Sequence, residues 1–314
     1  MLIRNHHFIV AVSIHGRAAA ARLGLRTIVA LALIVLPVLR SGATGNIATQ
    51  GEICVQAKNT VANDFVAENF SLPILNPCTW VVVQANWGGQ QGGEDFNGGV
   101  LAENVSVRDG ALALSAHGNI YNGPSRGINL DGSVRRDGKR TGAAIMTRQR
   151  YLGGRFEARF AAIKRPGVVS ALWTFFYDQT ADGMIRNHEI DIEFPGQARE
   201  DAPISFRNAT LTTWTGLQPG QTTAAFAAVS HNLLYNGHHT LRFDWRPPTP
   251  TWSGAVSFFI DGRLTHVTRT NVPSEPGNLW VGAWFPPVWA GEPEFDEAEM
   301  IVDWIHIRPL DSRE

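Results

Sequence analysis

The chain has 314 residues, 44% of them hydrophobic, with 31 glycines, 10 tryptophans and only 18% charged side chains. That length allows one or two domains with ample core, and a formal net charge of −1 without a basic block excludes the electrostatic footprint of a nucleic-acid binder. Ten large indole faces serve either a heavily aromatic core or a surface that stacks on flat ligands, and composition leaves both open.

The first 43 residues read as a secretory signal peptide with a long basic leader. They carry Arg4, Arg17, Arg22, Arg26 and Arg40 and no acidic residue. Thr27 to Leu39 is an uncharged apolar run, too short to span a bilayer, and Ser41-Gly42-Ala43 supplies small residues for cleavage. The same segment reads alternatively as an uncleaved anchor or an overextended start. Without it, 22 of the 27 basic residues face all 28 acidic ones, a net charge near −6 that argues against anionic membranes as partners. The expected location is secreted, extracellular or periplasmic. There the only two cysteines, Cys54 and Cys78, are expected to form a disulfide that staples an N-terminal arm.

Residues 44–94 read as that arm and the first strands, and 95–314 as the remainder of one domain. From about residue 50 onward strand and turn signals dominate. Val105-Ser106-Val107 and Ala111 to Leu114 flank Asp109-Gly110, and Ala255 to Ile260 leads into Asp261-Gly262. Asp-Gly between alternating runs is a hairpin signal. Phe156 to Phe160, Leu241 to Trp245 and Met300 to Ile307 add further strands, and Trp245 and Trp304 in them are expected in the core. The fold class is all-β, a sandwich or jelly roll. The glycine-rich stretches 88–99 and 118–142 are candidate walls of a cleft.

His188-Glu189-Ile190-Asp191-Ile192-Glu193-Phe194 alternates with period two. Ile190, Ile192 and Phe194 share one face of a strand, and Glu189, Asp191 and Glu193 the other. Neighbours on that face have Cα atoms only ~6.6 Å apart. Such crowding raises at least one carboxyl pKa, so the row can hold a proton donor beside an ionised carboxylate. Glycosidic cleavage needs that pair. A solvated edge strand and a calcium site are the competing readings, although three carboxylates strung along one strand wrap a cation poorly. Glu189 and Glu193 lie ~13 Å apart at Cα, and side chains leaning inward reach either the retaining or the inverting separation.

HEIDIEFPG (His188 to Gly196) resembles the active-site signature of glycoside hydrolase family 16. GGRFEARF (Gly153 to Phe160), PGVVSALWTFF (Pro166 to Phe176), HHTLRFDW (His238 to Trp245), FFIDG (Phe258 to Gly262) and WFPPVWAG (Trp284 to Gly291) resemble other family segments in order, over roughly residues 95–310. The resemblance implies a β-jelly roll of two curved antiparallel sheets with a concave substrate cleft, and retention of configuration. It makes Glu189 the nucleophile, Glu193 the acid/base and Asp191 the residue that hydrogen-bonds and tunes the nucleophile. It implies that Trp173, Phe175, Trp214, Trp284 and Trp289 line the cleft with Thr212, which stands in place of a cleft asparagine. The uninterrupted E-x-D-x-E form resembles the lichenase and xyloglucan-enzyme branch.

Three departures accompany the resemblance. Asn187 stands where lichenases have a tryptophan, and Ala143 and Ile145 stand near where they have a cleft Glu and Arg. By alternation His188 faces away from the catalytic row, and His239 fits a strand-entry histidine without a role. The expected activity is retaining endo-β-glycan hydrolysis of an extracellular polysaccharide, by a monomer without a cofactor, although the resemblance leaves a structural calcium open. A transglycosylase uses the same motif. A lectin-like binding module on the same fold would need neither Glu189 nor Glu193.

Overall fold

The computed structural model describes residues 65–85, 97–124, 127–128, 134–135, 140–179, 185–196, 209–216, 221–226, 237–286 and 289–310. The leader 1–43, Cys54, much of 88–99 and parts of 118–142 lie outside the described residues, so the signal peptide, the Cys54–Cys78 pairing and those loop walls stay expectations.

Eighteen strands follow one another along the described chain. They are β1 (Val66–Glu68), β2 (Trp80–Val82), β3 (Asn97–Val100), β4 (Val105–Arg108), β5 (Ala111–His117), β6 (Gly127–Ile128), β7 (Val134–Arg135), β8 (Arg140–Thr147) and β9 (Gly154–Ala161). The second half holds β10 (Val169–Gln179), β11 (Ile185–Pro195), β12 (Thr210–Thr215), β13 (Gln221–Phe226), β14 (His239–Arg246), β15 (Ala255–Ile260), β16 (Arg263–Thr268), β17 (Asn278–Trp284) and β18 (Glu297–Arg308). A front sheet runs β13-β12-β11-β10-β17-β8, and a back sheet runs β5-β18-β9-β14-β15-β16. One pairing, His117 with Thr141, joins them where β5 meets β8. Both Asp-Gly signals close hairpins of the back sheet, β4–β5 and β15–β16. Asp109 and Gly110 take φ of 53° and 73°, and Asp261 and Gly262 take 49° and 75°, the left-handed pair that a two-residue hairpin turn requires.

The core lies between the sheets. Ile145, Leu172, Ile190, Ile192, Phe194, Leu279 and Val281 come from the front, and Leu114, Phe156, Phe160, Phe243, Trp245, Phe258, Val302 and Ile305 from the back. Burying each of these large side chains removes enough apolar surface to stabilise the fold by about 1.5–3 kcal/mol. Alternation carries this arrangement: along β9 every second residue is buried. On the outer face of the back sheet, Asp244 is buried at 3% exposure. It is held by both Nε and Nη2 of Arg155 at 3.0 Å and by Nη2 of Arg242 at 3.0 Å.

Trp245 sits in the core as expected, at 1% exposure, with its indole N–H donating to the Pro273 carbonyl at 3.0 Å. Trp304 does not. The pairing of β18 with β9 shifts register between Val302 and Trp304, a bulge that inserts Asp303. The extra residue reverses the alternation, so Ile305 takes the inward position and half-buried Trp304 stacks outside on His306, with ring centroids 4.4 Å apart. The departure strand also differs by one residue. Ala143 and Ile145 belong to the inter-sheet core, while Ala144 clusters with the aromatic residues on the opposite face and Met146 packs against them.

Candidate active site

β11 carries the site. It pairs with β10 on one side and β12 on the other, so its outward row is walled along its length. Its inward row, Ile190, Ile192 and Phe194, is at most 1% exposed and anchors the strand in the core. That anchoring forces Glu189, Asp191 and Glu193 onto the outer face of the front sheet. Opposite them on β10 stand Phe175, Trp173 and Ala171, and opposite them on β12 stand Trp214, Thr212 and Thr210.

The three carboxyl groups differ in surroundings. Asp191 is 5% exposed, between Trp173 and Thr212, whereas Glu189 and Glu193 are only half-buried. Glu189 Oε2 accepts a hydrogen bond from Asn187 Nδ2 at 3.1 Å, and its carboxylate also accepts one from Asp191. Asp191 Oδ2 accepts the indole N–H of Trp214 at 2.9 Å. Glu193 Oε2 accepts the Thr210 hydroxyl at 3.1 Å.

Desolvation raises all three acids above their ordinary range. Asp191 is raised well above its usual range, since burial, the charges of Glu189 and Glu193, and its donation to Glu189 all favour its neutral form over the single opposing bond from Trp214. Burial lifts Glu189 to about 7, against the bonds from Asn187 and Asp191 that hold it down. Burial and the charge of Glu189 lift Glu193 to about 7, against one bond from Thr210. The surroundings of the row therefore favour the neutral form of Asp191 and hold both glutamates within reach of protonation near neutral pH. Asn187 and Asp191 favour the anion at Glu189, and Thr210 alone favours it at Glu193, so hydrogen bonding stabilises the ionised form more at Glu189.

The expected aromatic residues gather beside this row. Trp173 stacks on Trp280 of β17 with centroids 5.6 Å apart and planes 20° apart, and Phe175 meets Trp280 edge-on at 6.3 Å. Phe175 also stacks on Tyr177 at 5.9 Å. Trp284 and Trp289 meet edge-on at 6.2 Å further along the same face. Trp173 and Trp280 are buried, at 5% and 6% exposure, and Gly282 lets Ala144 and Trp173 pack closely, because a Cβ there would lie 2.9 Å from the Ala144 Cβ and 3.2 Å from the Trp173 ring. Trp214 and Thr212 lie on the acid row, but Trp214 spends its polar edge on Asp191 and so acts on the row itself.

Four contributors went unassigned in the sequence. Trp280 shares a strand face with Trp284 at i, i+4, a visible signal, yet its partner Trp173 is distant in the chain. Tyr177 extends the outward row of β10. Thr210 and Asn187 bond the two glutamates, Thr210 through a strand pairing that no local pattern contains. His188 faces the other way, as alternation predicts: it is 8% exposed, and its Nδ1 accepts the Ser274 N–H at 3.3 Å. Its pKa is lowered, chiefly by burial. His239 faces Asp261 at 2.7 Å at the back-sheet hairpin. Among the described residues no group of three or more His, Cys, Asp or Glu side chains is arranged to hold a metal ion, and no helix is long and apolar enough to cross a membrane.

Comparison with known proteins agrees with this geometry. The model of glycosyl hydrolases family 16 matches residues 94–306. A β-glucanase of Bacillus licheniformis is 30% identical over 200 residues, covering 62% of this chain and 68% of that protein. Among solved structures, a Bacillus licheniformis β-glucanase superposes with a TM-score of 0.54 at 22% identity, covering 78% of this chain and 98% of that one. The catalytic domain of an endo-1,3-β-glucanase (laminarinase) from Thermotoga petrophila RKU-1 superposes with a TM-score of 0.55 at 19% identity, covering 78% and 98%. These superpositions establish the jelly-roll sandwich. With the family model matched over most of its length and an acid row built as that chemistry requires, the chain belongs to family 16 of the glycosyl hydrolases.

Proposed function

We propose that the chain is an exported, monomeric, retaining endo-β-glycanase that cleaves β-glucosidic bonds of an extracellular polysaccharide, a β-1,3-1,4-glucan or a related glucan. Family membership and the β-glucanase relatives make it a glycosyl hydrolase of the endo-β-glucanase type. The observation that supports the roles of the two glutamates is the asymmetric hydrogen bonding of the acid row, two donors on Glu189 and one on Glu193, and retention follows from the resemblance to the family.

In the first step the Glu189 carboxylate attacks the anomeric carbon. The glycosidic C–O bond breaks as Glu193 passes its proton to the leaving oxygen, leaving a glycosyl ester on Glu189. Glu193, now ionised, takes a proton from water. That water attacks the anomeric carbon, the ester C–O bond breaks, and Glu189 returns as carboxylate. Asp191 donates to Glu189 and relinquishes no proton in the cycle. Ala144, Met146, Ala171, Trp173, Phe175, Trp280 and Trp284 beside the row are all uncharged; most are buried, with Met146 and Phe175 partly exposed, and this apolar lining suits the faces of neutral sugar rings.

The test is product analysis of residues 44–314 on mixed-linkage glucan, laminarin, xyloglucan and a bacterial exopolysaccharide, with Glu189→Gln as control. Shorter oligosaccharides whose new reducing ends first appear as the β-anomer, and only with wild-type protein, support retaining hydrolysis and identify the linkage. Longer products formed with added acceptor sugars would move the reading to transglycosylation, and binding without cleavage on every substrate would sink the enzyme reading. Intact mass of the secreted protein, with and without reductant, tests cleavage after Ala43 and the Cys54–Cys78 bridge. Size-exclusion chromatography tests the monomer.

A further inference from the structure

The row of outward side chains on β11 does not end at Glu189. Asn187 continues it by one period of two, facing Tyr177 on β10, and its backbone N–H donates to the Gly216 carbonyl just past β12. The side chain is 9% exposed. Its Nδ2 donates to Glu189 Oε2 at 3.1 Å, while its Oδ1 is buried without a hydrogen-bond partner among the described residues.

An amide placed to support the fold is satisfied at both ends, because a buried acceptor left unpaired is unfavourable. Among the described residues this one has no partner for its acceptor, and its one side-chain bond goes to a glutamate of the acid row. The carboxylate also sets which way the amide points, since the flipped amide would turn oxygen against oxygen. We infer that Asn187 is a positioning residue for Glu189, fixing the carboxylate's rotamer and favouring its ionised form for attack. The inference rests on Glu189 being the nucleophile as proposed above.

The titratable groups facing Glu189 are Asp191 and Glu193 on its own strand and Tyr177 diagonally on β10; β12 presents Trp214 and Thr212, which do not titrate. Asn187 is thus a neutral donor that opposes the burial raising Glu189, and its loss moves the ionisation of Glu189 to higher pH.

Two variants test this, Asn187→Ala, which removes the donor, and Asn187→Asp, which keeps the shape and replaces the donor with an acceptor. Thermal melts confirm that each is folded. The acidic limb of the kcat/KM profile is expected to move up by about one pH unit in Asn187→Ala and further in Asn187→Asp. On the acidic limb kcat falls by about tenfold with KM little changed. Independently of activity, a 13C-NMR titration of the Glu189 carboxyl, assigned by its absence in Glu189→Gln, is expected to show the same upward displacement. A Glu189 titration unmoved in both variants overturns the inference, whatever the activity. Wild-type protein that cleaves no glycan, with the Glu189 titration still displaced, sinks the glycosidase reading and leaves the coupling of Asn187 to Glu189 standing.

Discussion

Asp191 is the buried centre of the acid row, and its protonation can be tested by an isosteric exchange. Asp191→Asn reproduces the neutral acid: an amide N–H donates to Glu189, and the amide oxygen accepts the Trp214 indole N–H that Asp191 Oδ2 accepts at 2.9 Å. Asp191→Ala removes both. The lost donation to an ionised carboxylate is worth about 1.5–3 kcal/mol, or roughly 10- to 150-fold in kcat. The stranded indole N–H costs about 1–3 kcal/mol of stability. In a domain of this size each kcal/mol lowers Tm by about 2–4 °C. Asp191→Asn is therefore expected to keep kcat within about tenfold of wild type, with Tm unchanged or raised at pH 7. Asp191→Ala should fall well below it in both rate and Tm. Steady-state kinetics on the identified glucan and calorimetry at pH 7 read the two quantities. If the Asn variant is as slow as the Ala variant while equally well folded, then Asp191 acts as an anion and the assignment of its proton is wrong.

The remaining predictions use the same structure. Glu193 has a raised folded pKa, so the native state binds more protons than the unfolded chain between about pH 4.5 and 7, and wild-type stability falls as pH rises through that window. Glu193→Gln should be more stable than wild type at pH 7 by about 1–2 kcal/mol, allowing for solvent in the cleft, with the margin closing toward pH 4 and hydrolysis lost; denaturant melts across pH measure it. Trp280→Ala removes the stacking partner of buried Trp173 and, since Trp280 is itself only 6% exposed, opens a cavity; it is expected to cost about 3–5 kcal/mol and to raise KM about tenfold or more, whereas Trp280→Phe should recover much of both, and equal KM for all three folded proteins would show that this pair does not support the substrate site. Asp244→Ala strands Arg155 and Arg242 on the outside of the back sheet and should cost about 3–5 kcal/mol by chemical denaturation, with kcat of the folded protein unchanged, since the network is remote from the acid row.

The acid row was legible because everything it needs is local. Alternation along β11 separates Glu189, Asp191 and Glu193 from Ile190, Ile192 and Phe194 wherever the strand is placed, and the Asp-Gly hairpins likewise depend on four or five consecutive residues. The local reading failed where one residue of register mattered. Trp304 alternates correctly until the bulge at Asp303 shifts it outward, and the front-sheet face of β8 carries Ala144 and Met146, not Ala143 and Ile145.

What the sequence by itself determined is therefore the chemistry of the row: which acids share a face, and that crowding must leave some of them protonated. Which donors reach each acid was decided only by tertiary structure. Thr210 reaches Glu193 and Trp214 reaches Asp191 because β12 pairs with β11, and Trp280 reaches Trp173 because β17, far along the chain, pairs with β10. A strand carries its own alternation with it. The donors that tune its acids arrive on neighbours chosen by the packing of the whole sandwich.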